Sequence, residues 1–586
     1  MTVIFPIITL FLLLAFYFGL PDLSLCPLPE QNGDSRRVDF RDVLLMLLIS
    51  LVYAAVAFYN LGSRTDPQTF YEPRGDISPV FVLSEEIDGG SVMLYSGIGI
   101  GMVDVEASAD NENYFSLGSI DLNYAAVLKW HSLSIPAGMS VNYIRLVCSS
   151  GMPSVGELGI NASRPVALSG GVPSLLDEQS TVPLKSDFSN SSYFDEIYHA
   201  RTAYEHLKGI SPYEITHPPL GKLILSLGIM LFGLTPFGWR FSGTLFGVLM
   251  LPVLYVFAKK LFGGRRVPAV CTIVFAADFM HFVQTRIATI DTYAVFFILL
   301  MYLFMWLYIS RDGGHSTLWL FFCGLFFGLG AASKWTCFYA GAGLALIWAV
   351  HWLGRGREEG LRAFLKNCAQ CVLFFILIPA LIYYLSYYPY GKAQGMEGLA
   401  MYLEPRYLKT VLYNQSYMFR YHSGIEATHP YASRWYQWVF NIRPILYYLE
   451  YGANGARSSF GAWVSPMLCW GGLFSLFVLI FTALFRGDRS AAFILTGYAA
   501  QLVPWMFVTR ITFEYHYFPC TVFLALSLGY VCSLLKMGDR HYKWRIYGFA
   551  VVSIAVFILF YPALSGAWIN EAQAAKLLAW LPTWPF

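Results

Sequence analysis

Long runs of apolar residues dominate this chain, and they restrict the folds that it can adopt. A membrane-spanning helix needs ~20 consecutive, mostly apolar residues. Charged residues make up only 13% of the chain, against about 25% in soluble domains. The sequence predicts an α-helical polytopic membrane protein with about 12 transmembrane helices, at residues 2–20, 40–59, 238–258, 267–283, 288–310, 316–332, 336–353, 366–388, 461–485, 490–508, 517–535 and 546–563.

A polar stretch at residues 62–190 interrupts the apolar runs and has a different pattern. Short β-type runs occur at residues 80–83, 91–95, 125–130 and 141–147, and clusters of Gly, Asn, Asp and Ser separate them. Short strands at such spacing are typical of a small β-sandwich. We therefore expect an inserted extracytoplasmic all-β sandwich domain at residues 62–190.

Basic residues between the predicted spans indicate the orientation of the chain. Five clusters, at 36–41, 259–266, 355–366, 486–489 and 536–545, all fall on one side of the membrane, which the positive-inside rule assigns to the cytoplasm. Both termini, the β domain and a large loop at 389–460 are then outside. The apolar run 223–234 is too short to span a bilayer, so we expect an interfacial helix there.

The predicted organisation has six parts. They are two N-terminal transmembrane helices (1–61), the β insertion (62–190), a first outer loop with interfacial helices and an acidic motif (191–237), transmembrane helices (238–388), the large outer loop (389–460) and C-terminal transmembrane helices (461–586). The first run lacks a basic leader and a cleavage site, so it predicts a retained helix rather than a signal peptide.

Ionisable residues gather at the predicted outer face. Helical spacing places Asp195, His199 and Arg201 on one side of a helix. A single charge at the end of a span usually just extends to the interface, but several cations at one depth beside carboxylates indicate a site. Such cations would stabilise an anionic lipid-phosphate leaving group, and a carboxylate would take a proton from the acceptor hydroxyl.

Asp195 is the candidate general base. Its neighbour Glu196 points about 100° away on a helix, so only one of the two faces the reacting centre. We find no convincing metal-ligand set, P-loop, nucleophile elbow or dinucleotide fingerprint. A net charge of +2 gives no sign of a nucleic-acid partner.

Several short motifs, in order over about two-thirds of the chain, resemble the protein O-mannosyltransferase family. They are Phe194-Asp-Glu-Ile-Tyr198, His217-Pro-Pro-Leu-Gly-Lys222, Pro236-Phe-Gly-Trp-Arg-Phe241, Arg286 with Asp291, Ser333-Lys-Trp-Thr336, His429-Pro-Tyr-Ala-Ser-Arg-Trp-Tyr436, Arg443-Pro-Ile-Leu-Tyr-Tyr448 and Arg510 with Tyr515-His-Tyr517. The resemblance implies a GT-C fold, a polyprenyl-phosphate-linked mannose donor, inversion at the anomeric carbon and Ser/Thr hydroxyls of exported proteins as acceptors.

The resemblance also implies roles for individual residues. Catalysis would fall to Asp195 and Glu196, and the donor phosphate would be bound by Arg286, Lys334 and Arg510. Residues that bind substrate or support the site would be His199, His217, Lys222, Arg240, Asp291, His429 and His516. The family needs no metal or other cofactor, and a homodimer or heterodimer stays open. We expect an integral protein of a bacterial plasma membrane, with its catalytic face outside.

Two features depart from the family pattern and leave alternatives open. The helix at 2–20 is extra, and the β insertion, with Tyr143-Ile-Arg-Leu146 and Gly156-Glu-Leu-Gly-Ile160, resembles discoidin-like or galactose-binding-like domains. It would bind glycan or acceptor, or serve as a structural lid. The alternatives for the whole chain are the same chemistry on a lipid or cell-envelope glycan, a transporter or flippase, and a receptor built around the β domain.

Overall fold

The computed structural model describes residues 4–24, 33–73, 78–162, 164–310 and 316–586, and most of these are helical. The first two residues of the predicted span 2–20 lie outside the described residues. The α-helices are α1 (Ile4–Tyr17), α2 (Phe40–Phe58), α3 (Glu196–Lys208), α4 (Leu220–Phe232), α5 (Pro236–Phe262), α6 (Arg266–Ala276), α7 (Phe279–Arg286), α8 (Asp291–Ile309), α9 (Ser316–Ser333), α10 (Cys337–Glu359), α11 (Leu361–Val372), α12 (Ile378–Ser386), α13 (Tyr388–Lys392), α14 (Pro405–Gly424), α15 (Trp435–Val439), α16 (Pro466–Arg486), α17 (Arg489–Leu502), α18 (Phe518–Gly538), α19 (Tyr542–Ser565) and α20 (Glu571–Leu577).

Nine helical segments among the described residues are long and apolar enough to cross a membrane. The pair α6 and α7 adds a tenth candidate, bent by 57° where Asp278 accepts a hydrogen bond from the amide of His281. Shorter apolar helices cover Ile4–Tyr17, Leu220–Phe232 and Thr317–Ser333. Each of the twelve predicted spans falls on one of these apolar helices. The predicted fold class, a polytopic helical membrane protein with an inserted β domain, is confirmed.

The chain forms two compact units, and each is described by itself. The helical unit comprises Met1–Tyr59, Ile215–Gly221 and Gly243–Phe586. The β unit comprises Asn60–Glu214 and Lys222–Ser242. The β insertion and the helix that carries the acidic motif therefore belong to the same unit.

The β unit contains seven strands that hydrogen bonds join into a single sheet. The strands are β1 (Val80–Ser96), β2 (Ile100–Ser108), β3 (Phe115–Leu122), β4 (Lys129–Met152), β5 (Val155–Asn161), β6 (Pro165–Val166) and β7 (Leu168–Gly170). Their order is β3-β2-β4-β1-β5-β6, with β7 paired to β1, and every pairing is antiparallel. The pairing of β1 with β4 shifts register at two places, after Val82 and after Asp88. Such bulges bend long strands, which lets one sheet enclose a core.

The core of the β unit follows from the alternation of side chains along its strands. In β1, Val92 and Leu94 join the main apolar cluster, whereas Met93 and Tyr95 point to the other face and pack with Trp130. Because successive strand residues point to opposite faces, both faces of β1 are buried at this point. The predicted all-β character of the insertion is confirmed, and its described strands form one bent sheet.

The loop at 389–460, together with the segment that follows it, contains regular structure. Helix α14 occupies 20 residues, and strands β8 (Ile445–Tyr451) and β9 (Ala456–Ala462) form a hairpin. A short strand, β10 (Ile569–Asn570), adds to β9. In the short helix α4, which we expected to be interfacial, Leu227, Met230 and Leu231 are exposed while Leu225 is fully buried.

Candidate active site

Asp195 stands at the start of α3, directly after a strained turn in the β unit. Phe194 has a φ of 47°, a left-handed conformation that is unfavourable for a bulky residue. Asp195 has φ −74° and ψ −4°, is only partly buried, and makes no capping hydrogen bond to the helix with its side chain. Strained backbone held in place by its surroundings is common at functional sites.

Glu196, the other member of the acidic pair, is completely buried and forms a two-point ion pair with Arg240. Nε of Arg240 donates to Oε1 of Glu196 at 2.7 Å, and Nη2 donates to Oε2 at 2.7 Å. The indole of Trp239 and the backbone amide of Tyr193 also donate to Oε2. This carboxylate is therefore fixed within the fold, which favours a supporting role for Glu196 and leaves Asp195 as the better candidate base.

Arg240 also connects the two ends of the β insertion. Its Nη1 donates to the carbonyl oxygens of Leu61 at 2.9 Å and Phe188 at 2.8 Å, and its Nη2 donates to that of Ser191 at 3.0 Å. Leu61 precedes the insertion, and Phe188 and Ser191 follow its last strand. These contacts are structural, and the role predicted for Arg240, to bind substrate or support the site, stays a prediction.

The β insertion is joined directly to the segment that precedes Asp195. The amide of Ser192 donates to the carbonyl of Leu128 at 2.9 Å, and the hydroxyl of Ser192 donates to that of Val127 at 2.6 Å. The amide of Trp130 donates to the hydroxyl of Ser191 at 3.0 Å. Residues 127–130 lead into β4, so the acidic turn is held by the sheet itself.

The rest of α3 also lies largely within the fold. His199 is buried. Arg201 forms an ion pair with Glu205 at 2.8 Å, and its guanidinium lies 4.0 Å from the centre of the Tyr213 ring. Burial raises the pKa of Glu205, while Arg201 and the amide of Tyr213 oppose that shift. Helix α3 is therefore a firmly packed support for Asp195.

Lys222 is fully buried and holds a loop of the β unit. Its ammonium group forms an ion pair with the carboxylate of Glu214 and donates to the carbonyl oxygen of the same residue at 2.8 Å. A role in support of the site, as predicted for Lys222, fits these contacts better than direct contact with substrate.

In the helical unit, the structure brings together Lys334 and Asp291. Nζ of Lys334 lies 2.6 Å from Oδ1 of Asp291 and 5.8 Å from the centre of the Tyr515 ring. Asp291 is the first residue of α8, and Lys334 follows the last residue of α9. The carboxylate orients the ammonium group, so Lys334 can present a positive charge in a fixed position.

Arg510 lies in a loop that a second loop holds in place. Arg434 donates through Nη1 to the carbonyl of Thr509 at 2.9 Å. Ser433 and Thr512 exchange hydrogen bonds, from the amide of Ser433 at 2.9 Å and from the hydroxyl of Thr512 at 2.6 Å. Arg510 itself is half-buried and donates to the carbonyl of Ile511. These contacts fix the backbone that carries Arg510.

The predicted residues His429 and His516 pack against the same two loops. The ring of His429 lies edge-on to that of Phe513, at 5.1 Å between centres. His516 is buried, with its ring 4.5 Å from that of Tyr515 and 4.4 Å from that of Trp505. Both histidines therefore support the loop that carries Arg510 and Tyr515.

His217 lies beside a histidine that the sequence analysis did not select, His422 in α14. Their rings are 5.2 Å apart and nearly perpendicular. Burial lowers the pKa of His422 to about 4, and the positive charges of Arg510 and Lys334, together with His217, contribute to this shift. The ring of Trp335, which directly follows Lys334, also lies 6.4 Å from that of His422. We refer to Lys334, Arg510, His217 and His422 together as the cation–histidine cluster.

Arg286, the third predicted phosphate ligand, is engaged with backbone. Its Nε donates to the carbonyl of Ala57 and its Nη2 to that of Tyr59, both at 3.0 Å. These carbonyls lie at the C-terminal end of α2, where helix carbonyls lack intrahelical partners. The contacts indicate that Arg286 caps α2, and its role in binding phosphate stays a prediction.

Sequence reasoning missed the residues whose function depends on contacts distant in the chain. His422 lies in the large outer loop without a surrounding motif, and Arg434 falls within the quoted 429–436 motif without a distinguishing signal. The basic residue in the 236–241 motif was selected, but its pairing with Glu196 was not foreseen.

One acidic cluster lies on the β unit, outside these sites. Ligand atoms of Glu157, Asp177 and Glu178 lie within 4.8 Å of one another. Glu157 is fully buried and accepts hydrogen bonds from the amide of Glu178 and from the side chain of Gln179. Burial raises the pKa of Glu157 to about 7, opposed by those hydrogen bonds and increased by Asp177 and Glu178. The nine described cysteines are free thiols.

Two family models match the chain in sequence order. The model described as "Dolichyl-phosphate-mannose-protein mannosyltransferase" matches residues 216–384, and the one described as "C-terminal four TMM region of protein-O-mannosyltransferase" matches residues 407–584. Together they cover more than half of the chain. The chain belongs to the protein O-mannosyltransferase family. It is an integral membrane glycosyltransferase, so the predicted family and enzyme class are confirmed.

Curated relatives and a solved structure agree with this family. The chain is 26% identical over 457 residues to the polyprenol-phosphate-mannose–protein mannosyltransferase of Mycobacterium tuberculosis, covering 67% of this chain and 86% of that protein. It is 25% identical over 473 residues to the enzyme of the same name from Corynebacterium glutamicum, covering 68% and 89%.

The S. cerevisiae protein O-mannosyltransferase Pmt1-Pmt2 complex, solved bound to the sugar donor, resembles the chain in fold. The match has a TM-score of 0.58 at 13% identity, and it covers 67% of this chain and 89% of that one. At this identity the likeness concerns the fold alone. The cation–histidine cluster lies within the matched residues 216–384 and 407–584, whereas Asp195 and Glu196 precede them.

Proposed function

We propose that this protein O-mannosyltransferase transfers mannose from a polyprenyl-phosphate carrier to a Ser or Thr hydroxyl of an exported protein, with inversion, on the outer face of a bacterial plasma membrane. The observation that carries the proposal is the cation–histidine cluster, in which Asp291 holds Lys334 and the ring of His422 lies 5.2 Å from that of His217 and 6.4 Å from that of Trp335. Converging cations suit an anionic leaving group.

The proposed reaction is a single displacement. The hydroxyl oxygen of the acceptor attacks the anomeric carbon from the side opposite the phosphate, the bond from that carbon to the phosphate oxygen breaks, and Asp195 takes the hydroxyl proton. The phosphate leaves with one additional negative charge, which Lys334 and Arg510 stabilise. Glu196 and Arg240 keep the turn before α3 in place and so position Asp195.

Names of the relatives support the identity of the substrates. The enzymes from Mycobacterium tuberculosis and Corynebacterium glutamicum are named for a polyprenol-phosphate-mannose donor and a protein acceptor. We assign the same substrate classes to this chain. The outward position of both termini and of the β insertion, and pairing into a homodimer or heterodimer, remain predictions. We further propose that the insertion supports the acidic turn, because residues 127–130 hydrogen-bond to Ser191 and Ser192.

The test uses the purified full-length protein with polyprenyl-phosphate-mannose and a Ser/Thr-rich peptide. We expect the wild type to transfer mannose and Asp195→Asn to lose ~10²–10⁴-fold in kcat, because general base catalysis typically contributes that much. Asp121→Asn, an exposed carboxylate on β3, is the matched control.

Three outcomes would contradict parts of the proposal. Full activity of Asp195→Asn would remove Asp195 as the base. Transfer to a lipid or glycan acceptor but to no peptide would replace the protein acceptor. If the wild type transferred no carrier-linked sugar to any acceptor, the transporter alternative would be favoured.

A further inference from the structure

The surroundings of His422 determine how each of its two ring nitrogens can form hydrogen bonds. Its Nε2 lies 2.8 Å from the carbonyl oxygen of Thr216. A carbonyl oxygen only accepts hydrogen bonds, so Nε2 carries the hydrogen. The other nitrogen, Nδ1, is buried and has no hydrogen-bond partner among the described residues.

The neighbours of His422 keep this side chain neutral. Lys334 and Arg510 are cationic, and with burial and His217 they bring the pKa of His422 down to about 4. With Nε2 protonated and the ring neutral, Nδ1 presents a lone pair and can only accept a hydrogen bond. A buried acceptor that stays unpaired is unfavourable, so this nitrogen fits a ligand that supplies an O–H or N–H group.

A lipid phosphate does not supply that group. A phosphodiester at neutral pH has only acceptor oxygens, and these suit the Lys334 ammonium and the Arg510 guanidinium. The sugar that the same donor carries has several hydroxyl groups within a few bonds of the phosphate. The cluster therefore offers an acceptor, Nδ1 of His422, together with the cations Lys334 and Arg510. This combination suits a ligand that carries hydroxyl groups close to an anion.

We propose that Nδ1 of His422 accepts a hydrogen bond from one hydroxyl group of the sugar on the lipid-phosphate donor, and that this contact helps to select the sugar. The inference rests on the proposed function, because it takes the cation–histidine cluster as the donor site. His422 is then a substrate-binding residue, and Thr216 is a positioning residue that fixes its tautomer.

The experiment combines deoxy donors with variants of His422 in the full-length enzyme. Polyprenyl-phosphate-mannose is compared with its 2-, 3-, 4- and 6-deoxy analogues, and kcat/KM is measured for the wild type, His422→Asn, His422→Gln and His422→Phe. Asn can place an acceptor oxygen near the position of Nδ1, Gln can replace the donor at Nε2, and Phe retains only the ring. His541→Phe, at an exposed histidine before α19, is the matched control.

We expect one deoxy donor to be about 10–100-fold poorer than mannose with the wild type, as expected for loss of a hydrogen bond that leaves a buried group unpaired. With His422→Phe, the same deoxy donor and mannose should be used equally well, while the other analogues keep their wild-type ratios. His422→Asn should restore part of the discrimination, and His422→Gln should not.

The result distinguishes this inference from the proposed function. If His422→Phe is slower by the same factor with every donor, the histidine has only a structural role and the inference fails while the proposed function stands. If the wild type uses none of the donors, the proposed function itself fails. A variant that does not fold is recognised by its thermal unfolding, and His422→Asn then supplies the comparison.

Discussion

Both Nε and Nη2 of Arg240 lie 2.7 Å from the carboxylate oxygens of Glu196, and at most 1% of either side chain is exposed. Removing one partner of a buried ion pair leaves the other charge uncompensated and costs about 3–5 kcal/mol. We therefore expect Glu196→Gln to lower the unfolding temperature markedly and to lose activity through that instability. Thermal unfolding and transfer activity, measured on the same samples, check this.

Asp195→Asn is the comparison for this prediction, because it should lose activity at an unchanged unfolding temperature. Glu196→Asp, which keeps the charge, should recover part of the stability. A Glu196→Gln protein that is as stable as the wild type and yet inactive would instead show that Glu196 acts directly in the reaction.

Arg286 should matter for stability more than for donor binding. Its two hydrogen bonds to the carbonyls of Ala57 and Tyr59 are charge-assisted, and such bonds contribute about 1.5–3 kcal/mol each. Arg286→Gln removes the charge and the planar fork that carries both donors, so we expect a lower unfolding temperature with a donor KM within a few-fold of the wild type. Normal stability with a donor KM at least tenfold higher would support the phosphate-binding role predicted from the sequence.

Lys334 and Arg510 should determine how strongly the released polyprenyl phosphate binds. Loss of one charge-assisted bond to a phosphate weakens binding by roughly 10–100-fold. We therefore expect the inhibition constant of polyprenyl phosphate to rise by the same factor in two variants. One is Arg510→Gln, and the other combines Lys334→Gln with Asp291→Asn. The double change avoids leaving Asp291 buried without its partner. Lys409→Gln, at an exposed position on α14, is the control, and equal inhibition of all variants would refute the assignment.

Glu157 should make the stability of the β unit depend on pH. Its pKa is about 7 in the folded protein, above the ordinary value of 4.5, so the folded state holds a proton that the unfolded state releases. Stability should fall as pH rises from about 4.5 through 7, by an amount on the order of 1–3 kcal/mol.

Glu157→Gln removes this dependence, because the amide does not ionise. The variant should be more stable than the wild type at pH 8 and similar to it at pH 4, as measured by hydrogen exchange of the β5 amides in the full chain. A variant that is less stable than the wild type at pH 8 would show that the ionised carboxylate is favourable in its cluster.

The sequence predicted the membrane helices and part of the sheet, but it did not predict strands β2, β3 and β5 or the pairing of the elements. The run predicted as a strand at 125–130 is mostly a turn, and β4 begins only at Lys129. Runs of apolar residues predict helices because a bilayer requires backbone hydrogen bonds to close within each segment. The β-type run at 91–95 predicted a strand, and in the structure Val92 and Leu94 of this strand are buried in the main apolar cluster. Nothing local indicates that Glu196 pairs with a residue 44 positions away, or that β1 and β4 bend at bulges.

The candidate site was predictable where charged residues lie at the ends of predicted membrane spans. We selected Arg286, Lys334 and Arg510 from the sequence as cations at the ends of spans. Their hydrogen-bond partners in the structure now distinguish their roles. Lys334 contacts a carboxylate and an aromatic ring, whereas Arg286 contacts backbone carbonyls. His422 was missed because a lone histidine in a tyrosine-rich helix has no distinguishing local pattern.

The hydrogen bonds that join Ser191 and Ser192 to residues 127–130 have a consequence for removal of the insertion. An accessory domain that is joined only by flexible linkers can be deleted or exchanged without disturbing the rest of the fold. Here the backbone that precedes the acidic pair completes its hydrogen bonding only when the inserted sheet has folded. Without the insertion, Ser192 loses the carbonyls of Val127 and Leu128 as acceptors, so a shortened chain must stabilise the turn before Asp195 by other contacts.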